Sequence, residues 1–385
     1  MKKTLILLSA VMLFGLATCE GSFIDPGTLE MLGGTNGLGG ISGPQKWTAV
    51  ADGKFDSSYI NAIAYGNNRF VAVGGDGKIA YSANGETWSA VADSKFPAEL
   101  SYTLGDEVYT FPYSINGIAY GGGRFVAGGD FGKMAYSANG ETWTAVADSK
   151  FDSSHIYGIA YGNNRFVAVG YLGKMAYSVD GENWTAVTDS TVWEYPYSLG
   201  DDDETFTLMI DADIKAITYG NNRFVAVGEQ GKMAYSADGV NWTAVADSKF
   251  PATYTSYDYE LSYNINAIAY GNNRFVAVGD NGKMAYSSDG ENWTVVANST
   301  VWKHIYSDGS STPSDISGIV YGNGRFVAVG DNGKMAYSAN GASWTAVANS
   351  TFGDTINGIA YGNVGNAGGR FVAVGSSGKM AYANW

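Results

Sequence analysis

The chain of 385 residues repeats one pattern of apolar and polar positions along most of its length. Each copy begins with the phrase Ile-x-x-Ile/Val-x-Tyr-Gly, and a turn and a run such as Arg-Phe-Val-Ala-Val-Gly follow. That run is apolar at consecutive positions, which indicates a strand covered on both faces. The copies begin at Ile60, Ile115, Ile156, Ile214, Ile265, Ile316 and Ile356.

Each copy divides into four predicted strands, represented by the strings "INAIAYG", "RFVAVG", "KMAYS" and "WTAVA". The shortest spacing between copies, from Ile316 to Ile356, is 40 residues. That is about the length of a four-stranded propeller blade of ~40–45 residues. We therefore predict an all-β fold, a seven-bladed β-propeller of four-stranded antiparallel blades, over residues 46–385.

The two ends of the repeat predict how the ring closes. The last copy stops at "GKMAYANW" and lacks the fourth strand, whereas an isolated "KWTAVAD" stands at residues 46–52, before the first complete copy. We expect this N-terminal strand to complete the last blade. Closure of this kind removes the exposed sheet edges that favour aggregation.

The composition of the chain excludes several classes of function. The chain has 53 glycines and only 16% charged residues, which suits short strands and tight turns. Its net charge of -14 disfavours nucleic acid as a partner. One cysteine and two histidines exclude a disulfide framework and a Cys/His zinc site.

We expect a monomer without a cofactor. Calcium is the alternative at Asp201–Glu204, but that run lacks the spacing of a calcium loop and favours a solvated acidic tip.

The N-terminus "MKKTLILLSAVMLFGLATCEG" has two lysines and a short apolar run, which predict a secretory signal. The string "LATC" resembles the bacterial lipobox, in a spirochaete-like version because Thr18 replaces the commonest small residues. The resemblance implies a signal peptide at residues 1–18, lipidation of Cys19 and a glycine-rich tether over residues 19–45. It also implies a place in the bacterial envelope, at the outer membrane or cell surface, with the periplasmic side as an alternative. An ordinary cleaved signal is the other interpretation.

A polar turn precedes most of the fourth strands. The strings "SVDGENW", "SADGVNW", "SSDGENW", "SANGETW" and "SANGASW" resemble the Asp-box, or BNR repeat, in a form one residue shorter than usual. The resemblance implies a propeller in which the Asp or Asn holds its own turn and the tryptophan packs between blades. Asn84, Asn139 and Asn340 take the place of the acid, so we predict no catalytic base here.

The copies differ in the turn between the second and third strands and in the link to the next blade. Strand alternation places both on one face of the propeller. The second residue of each first strand should lie at the channel mouth on that face, where Tyr157 and Lys215 interrupt a mostly Asn ring. Aromatic side chains among polar ones are typical of ligand and protein contacts; the alternative is that the long links bury their own aromatics. The candidate binding residues are Tyr157, Lys215, Phe131, Tyr171, Glu229, Trp193, Tyr195, Tyr257 and Trp302.

These features predict a membrane-anchored binding or adhesion propeller that recognises a glycan or a protein. One alternative is an Asp-box glycoside hydrolase, for which the variable face offers the carboxylates of Asp130, Glu229, Asp280 and Asp331. The resemblance to sialidases implies three arginines from unlike positions, but all seven arginines here occupy one repeat position, so we predict no catalytic residue. A periplasmic assembly scaffold is the third possibility.

Overall fold

The computed structural model describes residues 46–104, 107–188, 191–199, 206–256, 259–297, 300–305, 309–365 and 368–385. These residues form seven four-stranded antiparallel sheets in the predicted strand order. We number the blades 1 to 7 by their first strands, which lie innermost. These first strands are Ile60–Gly66, Ile115–Gly121, Ile156–Gly162, Ile214–Gly220, Ile265–Gly271, Ile316–Gly322 and Ile356–Asn363.

The other three strands of each blade follow outward. The second strands are Arg69–Gly74, Arg124–Gly129, Arg165–Gly170, Arg223–Gly228, Arg274–Gly279, Arg325–Gly330 and Gly369–Gly375. The third strands are Ile79–Ser82, Met134–Ser137, Met175–Ser178, Met233–Ser236, Met284–Ser287, Met335–Ser338 and Met380–Asn384. The fourth strands are Ser89–Ala90, Thr144–Ala145, Thr185–Ala186, Thr243–Ala244, Thr294–Val295, Thr345–Ala346 and Thr48–Ala49. The fourth strands have two residues and are thus shorter than the predicted "WTAVA" run.

The N-terminal strand completes blade 7, as predicted. Thr48 pairs with Tyr382 and Ala49 with Ala381 in antiparallel register. Trp47 precedes this strand and is buried against blade 6, next to Val327 and Met335. The first and last strands of the propeller therefore share one sheet, and the ring is closed.

One hydrophobic cluster fills the space between each pair of neighbouring blades. Between blades 7 and 1, Phe70 and Trp88 pack on Val372 and Met380. The second strands contribute most, because their side chains are buried on both faces. Close approach also requires glycine at the ends of strands: a Cβ on Gly66 would lie 1.9 Å from the Tyr120 ring of the next blade. Each blade is therefore stabilised mainly by its neighbours.

The turns between the second and third strands meet the interblade links at one end of the propeller, which we call the variable face. Gly75 N–H donates to the Tyr59 carbonyl at 2.8 Å, and Gly77 N–H donates to the Tyr113 carbonyl at 3.2 Å. The predicted shared face is thus confirmed. In six blades the turn is a short 3-10 segment: Asp130–Gly132, Tyr171–Gly173, Glu229–Gly231, Asp280–Gly282, Asp331–Gly333 and Ser376–Gly378.

The four long links, which the sequence predicted without specifying a structure, form β-hairpins on this face. Two of them start with the 3-10 segments Thr191–Trp193 and Thr300–Trp302. The hairpin strands are Glu99–Leu104 with Glu107–Pro112, Glu194–Leu199 with Phe206–Asp211, Thr253–Ser256 with Tyr259–Ser262, and Lys303–Ile305 with Ser311–Pro313. Within the described ranges, no helix is long and apolar enough to cross a membrane.

Candidate functional site

Seven bulged residues surround the channel mouth on the variable face. In each first strand the pairing register shifts at the second residue, so that this residue has no partner on the second strand. A bulge re-aims the side chain of the extra residue. These residues line one cavity of about 310 Å³ and form what we call the channel-mouth ring: Asn61, Asn116, Tyr157, Lys215, Asn266, Ser317 and Asn357. The predicted location of the ring is confirmed.

The asparagines of this ring connect neighbouring blades. Asn61 donates from Nδ2 to the Ile115 carbonyl at 3.1 Å, and Asn357 donates to the Ile60 carbonyl at 3.0 Å. Asn116 and Asn266 make the same bond to the next blade. The amide is therefore structural, and Tyr157, Lys215 and Ser317 are the three positions where the ring departs from it.

Lys215 is held by two carboxylates. Its Nζ lies 2.9 Å from Asp213 Oδ2 and 3.0 Å from Glu229 Oε1, and 4.7 Å from the centre of the Tyr157 ring. Burial acts to lower the pKa of Lys215, but the charges of Asp213 and Glu229 raise it on balance. Burial, together with the same carboxylates, raises the pKa of Tyr157. Three predicted site residues, Tyr157, Lys215 and Glu229, thus lie together at the channel mouth.

A second cluster centres on His155, just before the first strand of blade 3. Its Nδ1 lies 3.0 Å from Asp130 Oδ1. Its ring lies 5.4 Å from Phe131, 5.9 Å from Tyr171 and 6.2 Å from Tyr157, measured between ring centres. The predicted residues Phe131, Tyr171 and Tyr157 are therefore brought together by a histidine that the sequence analysis did not select.

Phe131, Tyr171 and Leu172 form an exposed group that we call the apolar patch; their exposed fractions are 48%, 39% and 44%. Phe131 and Leu172 have φ of 51° and 49°, in the left-handed region. The equivalent residues of the other blades are Asp76, Gln230, Asn281, Asn332 and Ser377. Left-handed backbone costs an L-residue of this kind about 1–2 kcal/mol. A left-handed backbone and an exposed apolar side chain thus occur together at Phe131 and at Leu172.

The hairpins contradict part of the prediction. Trp193 and Trp302 are 0% and 1% exposed and pack in the hydrophobic clusters of blades 3–4 and 5–6. Their side chains are core residues and are not available to a ligand, because each packs under the turn of the preceding blade. Tyr195 is half-buried against the Trp193 cluster. Tyr257, the acidic run Asp201–Glu204 and Cys19 lie outside the described residues.

At the opposite end, the fixed face, the recurring polar turn is structural. Oδ1 of Asn84 accepts hydrogen bonds from the backbone N–H of Glu86 and Thr87, and Oδ1 of Asp180 accepts the same pair from Glu182 and Asn183. For Asp180, burial acts to raise the pKa, but the hydrogen bond from the Asn183 side chain, together with these backbone bonds, lowers it on balance. The side-chain oxygen of Asn84 or of Asp180 accepts the same two backbone hydrogen bonds, so the turn requires an acceptor oxygen and does not require a negative charge.

Several arginines join these turns across blades. Arg223 Nη1 lies 2.6 Å from Glu291 Oε1 of the next blade, and Arg370 Nη1 lies 2.6 Å from Glu86 Oε1. Each guanidinium also lies over an aromatic ring, as Arg223 lies over Tyr235. In the part of the chain that the structure describes, no three His, Cys, Asp or Glu side chains are placed to hold a metal ion.

These features define a β-propeller with one fixed face and one variable face. Residues 33–263, more than half of the chain, match the DUF6242 beta propeller domain, and the protein belongs to that family.

Solved structures share the fold at low identity. YCF48 from Cyanidioschyzon merolae is 16% identical, with 88% of this chain and 98% of that chain covered and a TM-score of 0.59. YCF48 bound to a D1 peptide is 14% identical, with 90% and 98% covered and a TM-score of 0.56. The WD40 beta propeller domain of Doa1 is 12% identical, with 89% and 97% covered and a TM-score of 0.51. No curated protein matches this chain.

Proposed function

We propose that this protein is a binding module that receives a polypeptide partner on its variable face. The observation that carries the proposal is the apolar patch, where Phe131 and Leu172 combine a left-handed backbone with large exposed side chains. Folding alone favours a polar residue at these positions, as at Asn281 and Asn332 of other blades. A partner that covers the patch would bury these exposed apolar side chains, which favours binding.

The surroundings of the patch favour a protein over a glycan. The hairpins add exposed aliphatic side chains, among them Val108, Leu208, Met209 and Ile305. Aliphatic and aromatic side chains with a polar rim are typical of protein interfaces. The YCF48 structure with a bound D1 peptide is an example in which a propeller of this fold receives a polypeptide.

Selection from a random peptide library tests this proposal. The full-length protein is the target, and Phe131→Asn is the matched variant because Asn occupies the equivalent turn position in blades 5 and 6. We expect peptides that bind the wild type and bind Phe131→Asn at least about tenfold more weakly, since a central apolar contact contributes about 2 kcal/mol. Equal binding to both proteins contradicts the proposal, and saturable binding on a glycan array in its place would favour a lectin.

We also propose that the module is attached to the bacterial envelope through a lipid on Cys19. The basic and apolar start of the chain and the "LATC" string support this. The glycine-rich residues 20–45 would serve as the tether. Kinship with the Asp-box repeats rests on the Ser-x-Asp/Asn-Gly turns and likewise stays a proposal.

A further inference from the structure

Four blades have an acid at the start of the turn on the variable face: Asp130, Glu229, Asp280 and Asp331. In three of them the channel-mouth ring supplies the donor. Asn116 and Asn266 each donate from Nδ2 at 3.0 Å, to Asp130 and Asp280, and Lys215 lies 3.0 Å from Glu229. A partly buried carboxylate requires such partners. The ring residue is therefore the standard donor to the turn acid of its own blade.

Blade 6 lacks this donor. Its ring residue is Ser317, and among the described residues Asp331 accepts a hydrogen bond only from Thr355 Oγ1, at 3.2 Å. A second acid, Asp315, lies just before the first strand, and its Oδ1 accepts the N–H of Asn281 at 2.7 Å. Blade 6 thus has two neighbouring carboxylates and a short hydroxyl side chain where blade 2 or 5 has an amide.

Blade 4 shows what a pair of this kind holds. Asp213 is the equivalent of Asp315, because its Oδ1 accepts the N–H of Leu172 at 2.9 Å, the equivalent bond from the preceding blade. Glu229 is the equivalent of Asp331. In blade 4 the ammonium of Lys215 lies between the two carboxylates. The same repeat therefore displays one carboxylate pair with an internal ammonium and one without it.

The charges around Asp315 favour a cation. Burial raises the pKa of Asp315, and the carboxylates of Asp280 and Asp331 raise it further by repulsion. Asp280 is buried, and its two carboxylate oxygens already accept hydrogen bonds from Asn264 and Asn266. An incoming positive charge would therefore interact chiefly with Asp315 and Asp331.

We propose that Asp315 and Asp331 bind a primary ammonium group of the polypeptide partner, in the position that Lys215 Nζ takes in blade 4. The ammonium belongs to a lysine side chain or to a free amino terminus. Ser317 is shorter than Lys215, so it does not fill the space that the lysine side chain occupies in blade 4. Ser317 lines the cavity of about 310 Å³ at the channel mouth. This inference rests on the proposed function and adds the charge that the partner must carry.

An NMR titration of the full-length protein tests the ammonium site with n-butylammonium, glycinamide and the uncharged N-butylacetamide as probes. n-Butylammonium represents the lysine side chain and glycinamide the amino terminus. We expect at least one ammonium probe to bind saturably, and N-butylacetamide not to bind. Asp331→Asn should weaken binding about tenfold, because the ammonium loses one of its two charged acceptors.

Ser317→Lys is the decisive variant. It places an internal ammonium in blade 6 as in blade 4, so we expect it to abolish probe binding while the protein remains folded. Asp152→Asn, an exposed acid in the link between blades 2 and 3, is the control and should bind as the wild type does. Unchanged binding by Ser317→Lys, equal weakening by Asp152→Asn, or equally tight binding of n-butylguanidinium would overturn the inference.

The peptide library separates this inference from the proposed function. Peptides that depend on Phe131 but bind equally well after acetylation of their amines would leave the binding module standing and remove the ammonium site. Saturable n-butylammonium binding without any Phe131-dependent peptide would support the ammonium site and contradict the proposed binding of a polypeptide at the apolar patch. Both the binding module and the ammonium site are supported if acetylation lowers the affinity of a peptide for the wild type at least about tenfold. The same peptide should bind Ser317→Lys weakly, and acetylation should not weaken that binding further.

Discussion

Arg370 of blade 7 and Glu86 of blade 1 form an ion pair of 2.6 Å between Nη1 and Oε1, across the junction where the ring closes. Arg370 also donates to the Asn84 carbonyl and lies 4.5 Å over the Tyr382 ring. It is 3% exposed. On the fixed face, blades 7 and 1 are therefore joined by the same arginine–glutamate ion pair that joins blades 4 and 5. At the same ring closure, Thr48 of the N-terminal strand pairs with Tyr382 in blade 7.

Arg370→Gln should lower the free energy of unfolding by about 1–2 kcal/mol, since hydrogen bonds to charged groups and the cation–π contact are lost. Urea unfolding followed by tryptophan fluorescence measures the change. Arg165→Gln is the matched control, because Arg165 has the same repeat position, whereas Val240 occupies the repeat position of the glutamate in the next blade. Among the described residues it forms no ion pair. A loss in Arg165→Gln as large as that in Arg370→Gln would contradict the role assigned to the pair.

Phe131→Asn should raise the free energy of unfolding by about 1 kcal/mol, because Asn adopts the left-handed backbone at a lower cost than Phe does. The same variant should lose partner binding. Ser377→Asn in blade 7 is the control: it has φ of 56° and lies outside the apolar patch, so it should gain stability without loss of binding. A Phe131→Asn protein less stable than the wild type would show that the side chain serves the fold.

Trp193→Ala should destabilise the protein by about 3–5 kcal/mol, as expected for a fully buried tryptophan. Met209→Ala on the same hairpin is the control, since Met209 is 58% exposed and should change stability by less than about 0.5 kcal/mol. Thermal unfolding followed by circular dichroism compares the two. A stable Trp193→Ala protein that has lost partner binding would restore the ligand-contacting role first predicted from the sequence.

The repeat explains which parts of the structure were predictable. The ring position of Tyr157 and Lys215 follows from counting along a strand of fixed period, so the channel mouth was located correctly. The partners of Lys215 were not foreseen, because Asp213 and Glu229 belong to two separate connections that only the folded blade brings together. Trp193 was misplaced because an aromatic in a long link has the same pattern whether it supports a hairpin or faces solvent. Leu172 was missed because the apolar candidates were all aromatic, although its repeat position is that of Phe131.

Cys19→Ser should release the protein from membranes, because a diacyl anchor would no longer be attached. Metabolic labelling with palmitate and fractionation of whole cells measure both effects. We expect labelled, membrane-associated wild type and unlabelled, soluble variant. Thr18→Ala, which moves the string toward the commonest lipobox, should keep the label. An unlabelled wild type that is nevertheless exported would favour the ordinary cleaved signal.

Asp315→Asn should make the protein more stable at neutral pH. Burial and the repulsion of Asp280 and Asp331 raise the pKa of Asp315 in the folded state above its value of 3.8 in the unfolded chain. Between the two values the folded state binds more protons, so stability falls as pH rises through that window. Above it, the ionised carboxylate destabilises the fold. Asn removes this charge and keeps an oxygen for the N–H of Asn281.

Thermal unfolding of wild type and Asp315→Asn from pH 3 to pH 7 measures the difference. We expect the two melting temperatures to converge below pH 3.8, where Asp315 is protonated in both states, and to separate with the variant higher as pH rises. Ser317→Lys should give the same gain at neutral pH, because its ammonium would neutralise the pair as Lys215 does in blade 4. A constant difference across the range would show that the charge of Asp315 is not the cause. A gain in stability accompanied by loss of ammonium binding would mean that blade 6 retains an unfavourable charge because a partner neutralises it.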